Sequence, residues 1–106
     1  MKIIKGQLRV RAKSKPVVEY DHTVGAVYIR FSNEKVAETH DLGGRQFPLC
    51  VDLDKSGEVI GVEMVGMVSM SIKKLNQVIS PHFASRIDLT PAEITIPQHA
   101  YAGSAA

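Results

Sequence analysis

The strongest constraint in this chain is a period of two. From Ala26 to Ser32, Val27, Ile29 and Phe31 alternate with Tyr28 and Arg30, and from Phe47 to Asp54, Phe47, Leu49, Val51 and Leu53 alternate with Pro48, Cys50, Asp52 and Asp54. Successive side chains of a strand point to opposite faces, so each stretch predicts a half-buried β-strand. Similar patterns extend the expectation. Ile4 to Lys13 sets Ile4, Gly6, Leu8, Val10 and Ala12 against Lys5, Gln7, Arg9, Arg11 and Lys13; Pro16–Asp21, Val36–Leu42 and Glu58–Val65 read as further strands. Asn33-Glu34-Lys35 and Lys55-Ser56-Gly57 are turn-forming connections between them.

The period changes once. Val68, Ile72, Leu75 and Ile79 recur at helical spacing, with Ser69 placed to cap the start and Ser80-Pro81 to stop the helix. Thr90-Pro91-Ala92-Glu93 resembles a capping box, but Ile94-Thr95-Ile96 favours extended backbone, so this stretch reads as a turn and a short extended piece. Residues 98–106 are small and polar and read as a frayed tail. The expected fold is α+β: an antiparallel β-meander of five or six strands with one amphipathic helix (68–79) packed on a sheet face. It forms a single domain over residues 1–97. Val27, Ile29, Phe31, Leu49, Val51, Leu53, Val62, Ile72 and Leu75 are its expected core.

At 106 residues, with 44% hydrophobic and 23% charged side chains, the chain has enough apolar surface for one core. Its longest apolar run is interrupted by Gly61, Glu63 and Gly66, and falls short of the ~20 residues that a membrane helix needs. The opening Met-Lys-Ile-Ile-Lys does not resemble a secretory signal, and a lone Cys50 forms no internal disulfide, so a cytoplasmic location is expected. Charge is unevenly spread. Residues 1–15 carry six basic side chains and no acid, while the rest carry seven basic and eleven acidic. A basic arm on an acidic body can approach nucleic acid through Lys5, Arg9, Arg11 and Lys13. It can equally pair with its own body or with that of a second copy.

Asp52, Asp54, Ser56, Glu58 and Glu63, with Gly57 between them, match the spacing of a calcium loop. The flanks argue against that chemistry, because Pro48 and Gly61 oppose the two helices such a loop requires. A β-hairpin is the simpler reading, with Gly57 in the turn. His22 beside Asp21 and His40 beside Asp41 offer carboxylate–imidazole pairs, but the four histidines lack metal-ligand spacing. Cys50 shares its strand face with Asp52, and the sequence names no base to activate it. No nucleophile elbow, phosphate loop or dinucleotide fingerprint is present, so neither an enzyme nor a cofactor is expected.

From Tyr20 to Met64 the sequence resembles a small bacterial family, domain of unknown function 2283. The likeness rests on Tyr20-Asp21, Ala26-Val27-Tyr28-Ile29-Arg30-Phe31, Val36-Ala37-Glu38-Thr39, Val51-Asp52-Leu53-Asp54 and Gly57-Glu58-Val59-Ile60-Gly61-Val62-Glu63. This chain has Gly25 where the family usually carries an acid, and a longer connection from Gly43 to Phe47. The family-like core spans 16–65. The resemblance implies that Asp52–Glu63 is a hairpin, and it implies an uncharacterised protein with an antitoxin-like or accessory binding role. The expected function is thus a non-catalytic protein-interaction module, working as a homodimer or on another protein, with Tyr28 and Arg30 as partner-binding residues. The alternatives are nucleic-acid binding by the basic strand and calcium or small-ligand binding by the Asp52–Glu63 loop.

Overall fold

A computed structural model describes residues 6–11, 15–43, 48–66, 71–85 and 87–95. Six strands form one sheet: β1 (Val17–Asp21), β2 (Ala26–Arg30), β3 (Glu38–Asp41), β4 (Leu49–Leu53), β5 (Val59–Met64) and β6 (Glu93–Thr95). Their order across the sheet is β3-β4-β5-β2-β1-β6. The fold is α+β, as the sequence predicts, but two features depart from an antiparallel meander. β2 pairs with β5 instead of with β3, and β6 lies parallel to β1. Polarity accounts for the first departure. In β5, Val59, Ile60, Val62 and Met64 are all buried, which suits a central strand. β3 (Glu-Thr-His-Asp) has no large apolar side chain and belongs at an edge.

One sheet face carries the core. Val18, Val27, Ile29, Phe31, Leu49, Val51, Leu53, Val59, Val62 and Met64 pack there against Leu75 and Ile79 of the helix α1 (Ile72–Ile79), and against Leu8, Phe83 and Leu89. Phe31 and Phe83 meet edge to face, with ring centroids 6.4 Å apart. Of the expected core, Ile72 is only partly buried, because it sits in the first turn of α1.

The helix is shorter than predicted. Its cap is Ser71, in extended backbone, whose hydroxyl accepts from the Lys74 N–H at 3.1 Å. The expected start at Val68 and cap at Ser69 lie outside the described residues. After α1 a 3-10 turn, Ser80–His82, contains Pro81, which ends the helix as expected.

The predicted first strand is likewise corrected. Its described part does not join the sheet as a member strand; Leu8 and Val10 form isolated parallel bridges with Phe83 and Val59. The alternation itself is real, since Leu8 is buried and Arg9 exposed. An arm of this length gains its fixed position by placing Leu8 in the core, not by pairing with a long partner strand. Lys5, Lys13 and the predicted tail 98–106 lie outside the described residues.

Candidate interaction surface

The opposite face of the sheet is polar. Ladder registers place Asp41, Cys50, Glu63, Tyr28, Glu19 and Thr95 in one cross-strand row. The adjacent row holds Thr39, Asp52, Gly61, Arg30, Val17 and Glu93. With Asp21, which shares the phase of Glu19, this face presents six carboxylates and one guanidinium from its strands. The helix and the described arm both pack on the other side.

Tyr28 and Asp52 organise the centre. The Tyr28 hydroxyl donates to one Asp52 carboxylate oxygen at 2.6 Å, and the Thr39 hydroxyl donates to the other, also at 2.6 Å. To reach Asp52 on β4 from β2, the phenol must cross β5, and it does so directly over Gly61. A Cβ on residue 61 would lie 1.8 Å from the Tyr28 hydroxyl oxygen and 2.4 Å from Cζ. Glycine inside a strand here marks a close approach. Burial, and then the hydrogen bond to Asp52, raise the Tyr28 phenol well above its ordinary pKa, so it stays protonated and donating. The Arg30 guanidinium carbon stands 5.0 Å from the Tyr28 ring centroid, and its Nη2 donates to Glu19 Oε1 at 3.1 Å. Tyr28 and Arg30, paired in the sequence reading, are thus brought together, along with Glu19 and Asp52.

Cys50 lies on the same face, half-buried. Burial, followed by the charges of Asp41, Glu63 and Asp52, pushes its thiol pKa up. This is the reverse of what an activated nucleophile requires.

The residues with calcium-loop spacing do not converge. Asp52 faces Tyr28 and Thr39, and Glu63 stands on β5 between Cys50 and Tyr28. Asp54 lies in the β4–β5 turn, where Oδ1 accepts from the Ser56 N–H (2.9 Å), the Ser56 hydroxyl (2.6 Å) and the Glu58 N–H (3.1 Å). No group of three or more His, Cys, Asp or Glu among the described residues is placed to hold a metal ion. Asp52–Glu63 is a hairpin, with Gly57 at φ +85° in its turn.

Of the destinations its charge allowed, the described part of the basic arm takes its own body. Arg11 Nε donates to Asp54 Oδ2, and Nη2 reaches Ser56 Oγ at 3.1 Å and Glu58 Oε1 at 3.2 Å. Backbone bonds secure the contact: Val59 N–H to the Arg9 carbonyl at 2.7 Å, and Arg11 N–H to the Val59 carbonyl at 2.9 Å. Through Arg11 the arm pairs with its own body. The Ser56 hydroxyl contributes most to holding the Asp54 carboxyl at about 2, against the opposing effect of burial.

The histidines are corrected in detail. His40 Nε2 lies 3.4 Å from Glu38 Oε2, while the Asp41 carboxylate accepts from the Gly43 N–H. The Asp21 carboxylate accepts from the Thr23 N–H and hydroxyl, which fixes the turn that carries His22.

Fold and surface define a six-stranded α+β domain with one face packed by a short helix and an arm, and the other left as a polar platform. Residues 17–67 match the family described as Protein of unknown function (DUF2283), the family that this stretch of the sequence resembles. The match covers the hairpins β1–β2 and β4–β5 with β3 between them, which together build the platform apart from β6. No curated protein and no solved structure matches the chain. No helix among the described residues is long and apolar enough to cross a membrane.

Proposed function

We propose that this protein is a non-catalytic interaction module that receives a basic protein segment on the outer face of its sheet. The observation that carries the reading is the charge of that face: among its described strand residues, Glu19, Asp21, Asp41, Asp52, Glu63 and Glu93 share it with one cation, Arg30. Opposite potentials steer encounter and set register between proteins. Tyr28, held flat by Gly61 and Asp52, supplies a rigid aromatic surface of the kind that anchors interfaces. Arg30 is neutralised by Glu19 and so opposes a cationic partner less than a free guanidinium would.

The same charges disfavour nucleic acid, because the face repels phosphate and Arg11 of the arm is already paired. The family match names no activity, and the charge of the outer face is what supports a cationic partner.

The test is a two-dimensional NMR titration of isotope-labelled protein with a short peptide of alternating lysine, arginine and alanine. Shifts concentrated on Glu19, Tyr28, Cys50, Glu63 and Asp41 support the reading. Shifts confined to α1 and the arm, or no shifts at low salt, overturn it.

A further inference from the structure

The two edges of the sheet differ in a way that selects one of them. β6 has three residues and is bracketed by Pro91 and, in the sequence, Pro97; prolines cannot donate to a ladder and blunt an edge. β3 has four residues, contains neither proline nor lysine, and has no described strand beyond it.

Antiparallel ladders alternate between residues bonded to one neighbour and residues bonded to the other. Leu42 N–H to Leu49, Val65 N–H to Pro48 and Phe31 N–H to Ile60 fix that alternation through β3, β4, β5 and β2. Accordingly Glu38, His40 and Leu42 turn their backbone groups toward β4. Ala37 N–H also bonds to Leu53, which stands opposite Glu38, so a one-residue bulge starts the strand. Thr39 and Asp41 direct N–H and C=O outward, away from the sheet.

We propose that β3 pairs antiparallel with β3 of a second copy, about a two-fold axis at Thr39. Thr39 then faces Thr39 of the second copy, and their backbones exchange two hydrogen bonds. This register is self-complementary, matching an imidazole with a carboxylate on each side of the axis. It places His40 of each chain opposite Glu38 of the other, replacing the loose 3.4 Å contact that the two make within one strand. Val36, 44% exposed just ahead of β3, comes near Leu42 of the second copy. A two-fold axis perpendicular to the sheet keeps both outer faces on one side, so two six-stranded sheets form one continuous acidic platform. The pairing goes beyond the outer-face reading and stands whether or not a basic segment binds there.

Sedimentation equilibrium of the full chain tests it. The wild type is expected at twice 11.6 kDa. Thr39→Pro removes the outward N–H without touching a bond to β4 and is expected at the monomer mass. Thr39→Val removes only the hydroxyl and stays dimeric. Opposite charges directly across a strand pair favour association and like charges oppose it, so His40→Glu raises the dimer dissociation constant by about tenfold and Glu38→Lys/His40→Glu restores it. These charge variants decide the matter even if Thr39→Pro does not fold. A monomeric wild type from micromolar to near-millimolar concentration overturns the proposal, as does a dimer indifferent to both Thr39→Pro and the charge exchange.

Discussion

Replacing Gly61 by alanine should show how the outer face is held. The added methyl would sit 1.8 Å from the Tyr28 hydroxyl and 2.9 Å from Cε1, so the ring must leave its place over β5. In leaving, it gives up the 2.6 Å bond to the Asp52 carboxylate, and hydrogen bonds to charged groups contribute about 1.5–3 kcal/mol. It also gives up the Arg30 contact, worth about 0.5–1 kcal/mol at an exposed site. Alanine in a strand recovers about 0.5–1 kcal/mol over glycine through the unfolded chain. The net expectation is destabilisation by about 1–3 kcal/mol, with each kcal/mol lowering Tm by about 4–8 °C in a domain of this size. Urea unfolding of a double-mutant cycle isolates the cause. In a Tyr28→Ala background the methyl meets no ring, and Gly61→Ala should be neutral or stabilising, giving a coupling of about 2 kcal/mol or more. Equal effects of Gly61→Ala in both backgrounds would refute the close-approach argument.

Other expectations follow from individual contacts. Asp54 has a folded pKa of about 2, below the ordinary 3.8, so its contribution to stability is present above about pH 4 and is lost as pH falls through 2. Arg11→Met removes one of the groups that lower it, and acid unfolding followed by circular dichroism should move to higher pH. Leu75 is fully buried between α1 and the sheet, and Leu75→Ala should cost about 2–5 kcal/mol in urea unfolding. The Cys50 thiol should alkylate with a half-maximal pH above 9.0, and Asp41→Asn or Glu63→Gln should lower that midpoint.

Much of the sheet was legible because its signals are local. The alternation in β2 and β4 names the buried face residue by residue, and Leu49, Val51, Leu53, Val27 and Ile29 are all buried. Strand order was not legible in the same way. Adjacent strands in sequence suggested a meander, but the apolar demand of β5 on both sides outweighed proximity and sent polar β3 to the edge. The parallel β6 rests on three residues whose partner, β1, lies more than seventy positions earlier, which no local pattern encodes. The arm showed its inward and outward residues, but charge alone left nucleic acid, a second copy and its own body equally open, and Arg11 turned to Asp54. At the outer face Tyr28 and Arg30 were recognisable as a pair two residues apart. Asp52 was not, because the calcium-like spacing of its own loop claimed it, and its contact with Tyr28 spans 24 residues. Gly61 was the available signal: a glycine within an apolar strand pattern implies that something lies against the backbone there.

Calorimetric titration with a lysine–arginine peptide decides whether the outer face binds through its carboxylates. Affinity should fall on Glu19→Gln/Glu63→Gln and weaken as salt screens the face. It should be unchanged by Glu34→Gln, a loss of the same charge on a loop residue outside the platform. Equal loss in both cases would reduce the interaction to net charge, and no binding to the wild type would mean that this face receives no basic segment.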